Sequence, residues 1–491
     1  MNPISSLNLI RPFRRSREET GFSLVAMLSL MAMLASAAVI GATLTSMHGH
    51  ASVYAAESAQ ALGIAQAGLE WFTEQLENDT DWTNEATISQ AFAGGTFTIT
   101  INSASATQVT FSSLGSLTGP DQLPVERQMT ITVQKLPPAF LFALYQGSDT
   151  GTLTIRTTGN PCLITGDVWS SGSVSVLANN IVAGGKIYIP NTKSVSGAGS
   201  YTSKQITSPF PSMPQLNASS YQTLMDSYDS TISTAVDAGD CNVNNETLTL
   251  NGNTVSCPLD FQTNGNAVIT GHGTIVGKRN VHLHDSVTAA QTLTITPSGG
   301  EILFLSARDI VIGDTSDPVV TINSGCRFYA KESSSNNDLI NIHGQNTALT
   351  SAKIYARRRI VVQQGADALS GSLLFIDAAP TTANNLIQIN GSGGGSQVNG
   401  SLLSYSIREP SIRLINGAAV TGLVYARSDG SNNGTVELND CTVTGTVVAN
   451  EYDSNQVTHA TITYNASALP ATIPEGFQTL VVKKPNSWNG L

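Results

Sequence analysis

The chain has 491 residues, too many for one ordinary core, so two or more domains or one elongated repeat are expected. Only 12% of residues are charged, while 43 are glycine, a balance that suits short strands and tight turns. The net charge of -11, with no basic block past the N-terminal arginines, argues against nucleic acid as a partner. The five cysteines (162, 241, 257, 326 and 441) form no CxxC pair and no metal-finger spacing. No metal or other cofactor is therefore expected, and one or two disulfides are permitted in an oxidising compartment.

The first element is a long helix. Arg11, Arg14, Arg15 and Arg17 precede a run from Phe22 to Leu44 that holds no charged residue. As a helix those residues extend roughly 34 Å, enough to cross a bilayer, and the preceding arginines place the leader on the cytoplasmic side. A secretory signal cut after "ASA", Ala35 to Ala37, competes with this reading. Against it, helical character runs on past that bond. Leu62, Ala65, Leu69, Phe72 and Leu76 recur at spacings that make one stripe of an amphipathic helix. A helix that is apolar first and amphipathic later describes a membrane anchor that also packs on something outside.

The junction "TGFSLVAML" resembles that of type IV pilins and type II secretion pseudopilins. The later "AQALGIAQAGLEW" is similar to minor pilins of the PilX type and of the mannose-sensitive haemagglutinin (MSHA) pilus. The resemblance covers about residues 11 to 135. It implies a leader over 1–21, removed by a prepilin peptidase that cuts after Gly21, and methylation of the new N-terminal Phe22. It further implies a transmembrane and amphipathic helix over 22–78 and a small β domain over 79–136, assembled with other pilins or pseudopilins. One position departs from the family, which has glutamate five residues after the cut, where this chain has Ala26. In the family that carboxylate pairs with the N-terminal amine of a neighbouring subunit, and an unpaired charge in an apolar core is costly. The resemblance therefore implies a minor subunit at the filament tip, not a repeating shaft subunit.

After the helix, "GGTFTITINSASATQVTFSSLGS" and "ERQMTITVQK" alternate with period 2 and predict about three antiparallel strands. "KLPPAF", Lys135 to Phe140, marks a boundary. The rest repeats. "CRFYA" from Cys326, "AKIYA" from Ala352, "GSLLF" from Gly371, "GSLLS" from Gly400, "GLVYA" from Gly422 and "GTVVA" from Gly445 share a template, about 24 residues apart on average. Between them "DIVIGD", "LINIHG", "LIQING", "IRLING" and "VELND" carry apolar residues at alternate positions. A period of about 20–29 residues with two or more strands per period predicts a β-solenoid. The fold expected is thus mostly β: a long N-terminal α-helix, a small antiparallel sheet, then a solenoid. Its first rungs are expected over 137–200 and its main body over 263–452. Residues 201–262 read as a Pro-rich insertion with a helix from Tyr221 to Val236, and 453–491 as a C-terminal cap over the last strand edge.

Candidate chemistry is sparse. Asp309, Asp314, Asp338, Asp377 and Asp440 are scattered, with no DD or DxD pair on a strand, so no acid/base pair for a polysaccharide lyase or hydrolase is read. His282 and His284 share the outward face of one strand and, with Asp285 or His272, would need a third fixed ligand to hold a metal; solvated histidines are expected. The run Gly391 to Ser396 lacks the strand-to-helix setting of a phosphate cradle and reads as a flexible loop. Asn217 and Asn399 begin sequons that turn asparagines explain adequately. Tyr329, Tyr355 and Tyr425 recur at one template position, as a structural ladder in preference to a sugar-binding strip.

For the cysteines, Cys241 and Cys257 flank "ETLTLNGNTVS", whose Asn251-Gly252 turn would bring its arms together as a hairpin, so they are the expected disulfide. Cys326 and Cys441, placed at equivalent points five rungs apart, would stand roughly 24 Å apart and remain buried thiols.

The function expected is that of a minor pilin-like subunit and not an enzyme. Its helix sits in a bacterial inner membrane through residues 22–44 and then in an extracellular filament. Its solenoid, exported to the periplasm, serves adhesion to surface glycans or to a host or abiotic surface, or primes pilus assembly. The alternatives are a membrane-anchored β-helix enzyme acting on polysaccharide and a cell-envelope solenoid scaffold unrelated to pili.

Overall fold

The computed structural model describes residues 20–483 apart from short breaks, the longest at 79–86, 332–338, 379–385 and 428–434. Residues 1–19, where a leader is expected, and Asp338 lie outside the described residues. Helix α1 runs unbroken from Thr20 to Asn78, 59 residues or about 88 Å. Its first half is rich in Ala, Leu and Met, all strong helix formers.

Its second half buries Ala61, Ile64, Ala65, Leu69, Phe72 and Leu76. They pack on an antiparallel sheet of four strands: β1 (Thr87–Phe92), β2 (Gly95–Ala104), β3 (Gln108–Thr118) and β4 (Pro124–Lys135). Phe97, Ile99, Val109, Phe111, Ile131 and Val133 complete that core. Of the expected stripe, Leu62 is only half-buried, and Ile64 takes its place. Helix and sheet touch most closely at Gly115, where a Cβ would collide with the Ala61 carbonyl oxygen and the Ala65 amide. A fifth strand, Val481–Lys483, adds to β4 from the far end of the chain.

The rest is one continuous parallel β-solenoid of about 12 turns. Each rung repeats the same two inward columns. One reads Phe261, Val281, Ile310, Ile340, Ile360, Ile387, Ile412 and Val436. The other includes Ile275, Phe304, Phe328, Ile354, Leu374, Leu402, Val424 and Val447. All sixteen have no exposed surface, and burying each contributes roughly 1.5–3 kcal/mol. The Phe304 and Phe328 rings stack with centroids 5.0 Å apart, which is the rung spacing expressed in side chains.

The expected register needs three corrections. Ile360–Gln363 is a rung strand absent from the "DIVIGD" series. The template at "GSLLF" starts at Ser372, because Gly371 occupies a bulge at φ +66°, a left-handed conformation that disfavours any side chain. Phe375 thereby joins the column of Tyr329 and Tyr355. Cys326 and Cys441 stand in different columns: Cys326 opposes Ile302, whereas Cys441 sits between Ala418 and Ala460.

The larger correction concerns order. Residues 144–206 do form rungs, but they do not lead into the main coil. Leu144–Gln146 pairs with Val447–Ala449, and Glu451–Thr463 pairs with both Thr152–Arg156 and Leu163–Thr165. The chain therefore enters the coil at an internal seam, builds outward to Ser203–Ile206, and leaves the coil. It re-enters at the opposite end with Asn242–Asn244 and winds back to the same seam. Residues 201–262 are only partly an insertion, since 203–206 and 242–262 are rungs. The expected cap at 453–491 is also corrected. Residues 451–463 are a strand inside the coil, and 481–483 belongs to the small sheet. The exposed edges that a cap would cover lie at 203–206 and 242–257 instead.

Candidate functional site

Two regions stand out from a plain structural framework: the bare half of α1 and one flank of the coil. On α1, large apolar side chains from Met27 to Met47 are exposed, Met33 to 71% and Ile40 to 58%. Hydroxyls within this stretch bond back to their own helix, Ser36 to the Ala32 carbonyl at 2.8 Å, Thr43 to Val39 at 2.6 Å and Thr45 to Gly41 at 2.8 Å. Each donor is thus satisfied without water, as an apolar surrounding requires. The helix is long and apolar enough to cross a membrane. Gly21 lies in its first turn; the Phe22 side chain is outside the described residues; Ala26 is exposed and presents only a methyl group.

On the coil, the outward column Val276, Leu305, Tyr329, Tyr355, Phe375, Leu403, Tyr425, Val448, Tyr145 and Trp169 forms a continuous apolar strip. A strap covers it. The strap holds helix α2, Ser219–Thr234, two residues earlier at each end than expected. Tyr221 stacks on Phe375 at 4.3 Å and Tyr228 lies 5.4 Å from Tyr329. The Tyr425 hydroxyl donates to the Pro214 carbonyl at 2.7 Å, and Tyr329 donates to Asp229 at 2.7 Å. Arg357 pairs with Asp226 and with Asp229, the latter at 3.3 Å. Tyr329, Tyr355 and Tyr425 are therefore buried under the strap, and burial raises each phenol above its ordinary range.

Beside the strap lies a cavity of about 780 Å³. Its floor is the outer surface of the rungs at Ser351, Lys353, Asn399, Ser401 and Thr421. Tyr221 and Tyr355 contribute one side, and Ser467, Ala468, Pro470, Pro474 and Glu475 of the returning chain the other. That return is held to the strap, since Asn217 donates its amide to the Gly476 carbonyl at 2.8 Å and the Tyr221 hydroxyl donates to the Glu475 carbonyl at 2.8 Å.

The sequence candidates do not converge. His282 bonds Asp285 at 2.7 Å, and that bond raises its pKa. His284 is not a solvated surface residue. Its φ of +58° ends the strand and turns the ring inward, where it meets the Thr263 hydroxyl at 3.0 Å and the Gly265 carbonyl at 2.8 Å. Burial lowers its pKa. Among the described residues no three His, Cys, Asp or Glu side chains are placed to hold a metal ion. Asp309 accepts the Leu339 amide at 3.0 Å, Asp314 caps its own turn, and Asp440 sits at φ +53° at a register shift inside the strand Thr435–Ala449. Asp377 faces the strap, and burial raises its pKa. Gly391–Ser396 is tied at its ends, where Ser396 donates to the Asn390 carbonyl at 2.8 Å.

Cys241 and Cys257 are joined, with Cα atoms 5.7 Å apart. The hairpin reasoning behind that pair fails, because Thr247–Thr249 and Thr254–Cys257 pair with Ala267–Gly277 and not with each other. The bond instead joins the start and end of the terminal rung. Cys162, Cys326 and Cys441 are buried free thiols, and burial pushes Cys326 up to about 12.

Sequence reasoning missed the cavity, whose wall comes from 467–470 and 474–475. The usable signal was "ALPATIPEGF", a Pro-spaced stretch with no strand alternation. No family model, no curated protein and no solved structure matches this chain.

Proposed function

We propose that this chain is a minor pilin-like subunit, anchored in a bacterial inner membrane by α1 and carried into a type IV pilus or related filament. The observation that carries the reading is the division of one 59-residue helix into a bare apolar half and a half packed on an antiparallel sheet. Such a subunit can exchange lipid for the apolar core of a helical fibre without remodelling its own fold. The junction at Gly21 and Phe22 supports the same reading. Ala26 offers no carboxylate to a neighbour's amine, which favours a sparse, terminal place over a repeating one. The solenoid is then the displayed part, for adhesion or for priming assembly.

The test is mass spectrometry of the mature N-terminus. A methylated Phe22 is expected, and removal of four Arg and two Glu from a chain of net charge -11 leaves -13. A chain beginning at Ala38 would mean ordinary secretion and would sink the reading.

A further inference from the structure

We propose that the cavity on the coil flank binds a linear neutral oligosaccharide, about three sugar units lying along the coil axis. The proposal rests on reading the solenoid as a displayed binding module, and it names the ligand class of that module.

Six of the polar residues that line this cavity are Ser351, Lys353, Asn399, Ser401, Thr421 and Glu475. None has a side-chain hydrogen bond or ion pair to any described residue, although most polar groups on this flank are satisfied. Hydroxyl, amide, ammonium and carboxylate groups together offer donors and acceptors in mixed order, the set that matches vicinal hydroxyls. One cation and one anion leave no net charge, so the lining selects a neutral ligand.

The spacing selects further. Lys353, Leu373 and Ser401 occupy one outward position on successive rungs, and Asn399 stands directly opposite Thr421 on the next. The lining therefore repeats every ~4.8 Å along the axis, about the advance of one pyranose unit in a linear glycan. An extended peptide advances about 3.3–3.4 Å per residue and would drift out of step; it would also need a sheet edge, and this is a sheet face. A single lysine is too little for a nucleic acid. Tyr221 and Tyr355 close one side of the cavity, their rings packed into the contact between strap and rungs. The residues of the sequon at Asn399 and Ser401, two apart on one strand, thus act together as a recognition pair of one rung.

The experiment uses the full chain in lipid nanodiscs and ligand-observed saturation-transfer NMR. The probes are cellotriose, maltotriose, β-1,4-mannotriose and chitotriose. At least one is expected to bind with a Kd between about 1 μM and 1 mM. The double variant Asn399→Ala/Thr421→Ala is expected to weaken it at least tenfold with unchanged Tm, while Asn341→Ala on another coil face leaves it unchanged. Should the double variant melt early, Ser401→Ala and Lys353→Ala are read by the same criterion. Failure of all four sugars to bind, or affinity indifferent to these substitutions, overturns the proposal. The N-terminus of the same preparation is read by mass spectrometry, so absent binding with a methylated Phe22 removes the glycan assignment alone.

Discussion

The terminal rung offers a sharp test of the coil. Residues 242–257 are stacked on one side only, on Phe261–Asn264 and Ala267–Gly277. Among the described residues no strand pairs with their other edge. In a stacked repeat each rung is stabilised by its neighbours, so an end rung holds half the interfaces of an internal one. The Cys241–Cys257 bond, closing 16 residues, compensates by restricting the opened state. A loop of that size contributes about 3 kcal/mol on the chain-entropy account. The perturbation is Cys241→Ala/Cys257→Ala, chosen over serine because Cys257 has no exposed surface and a hydroxyl there would be buried. A loss of 3 kcal/mol raises the population of the opened end rung by about two orders of magnitude. Hydrogen exchange with mass spectrometry reads this directly. Amides in 242–257 should lose about a hundredfold in protection, while those in 412–449, deep in the stack, stay as they were. Mild reduction of the unaltered protein should give the same pattern. Equal loss throughout the coil would refute nearest-neighbour stacking, and no change at 242–257 would show that the bond does not hold that rung.

Gly115→Val places a branched side chain against the Ala61 and Ala65 backbone and should cost at least about 1–3 kcal/mol. Proteolysis should then cut α1 between 61 and 76 with the coil intact. Arg357→Ala strips a partner from Asp229 and from the Tyr329 hydroxyl, at about 1.5–3 kcal/mol, and should raise amide exchange over 219–234. The two histidines give opposite pH dependences. The lowered pKa of His284 means that the unfolded chain takes up a proton, near its ordinary 6.5, that the fold resists, so stability falls as pH drops below about 6.5. His284→Gln should flatten that fall in Tm. The raised pKa of His282 adds stability below 6.5 that is lost as pH rises through the raised value, and His282→Gln should remove it.

The limits of the sequence reading are instructive at the seam. Periodicity was enough to reveal the rungs, because Ile340, Ile387 and Ile412 alternate with polar residues over short spans. It was enough for the half-buried face of α1, for the same reason. Rung order is a different kind of information. Every rung offers its neighbours the same inward columns, so any rung could stack on any other, and local pattern carries no label for its partner. The pairing of Val447 with Leu144 spans about 300 residues. What selects it is the strap, long enough to run from Ile206 to the far end and pinned along the way at Tyr425, Phe375 and Tyr329. The cavity was illegible for the same reason, since Tyr221, Asn399 and Glu475 meet only once strap, rungs and returning chain are all in place. This order also decides how the coil is held. The chain enters at 143–144 and departs after Thr463, both at the seam, and Val481–Lys483 then pairs with β4. Both ends of the coil are therefore built from internal chain, and the small sheet grips the solenoid through two crossings at its interior. The binding face proposed at Ser351 to Thr421 begins one rung from that grip, where Thr421 pairs with Thr444. A ligand held there bears on the part of the coil that is tied to the helix, and not on a free end that fraying could release.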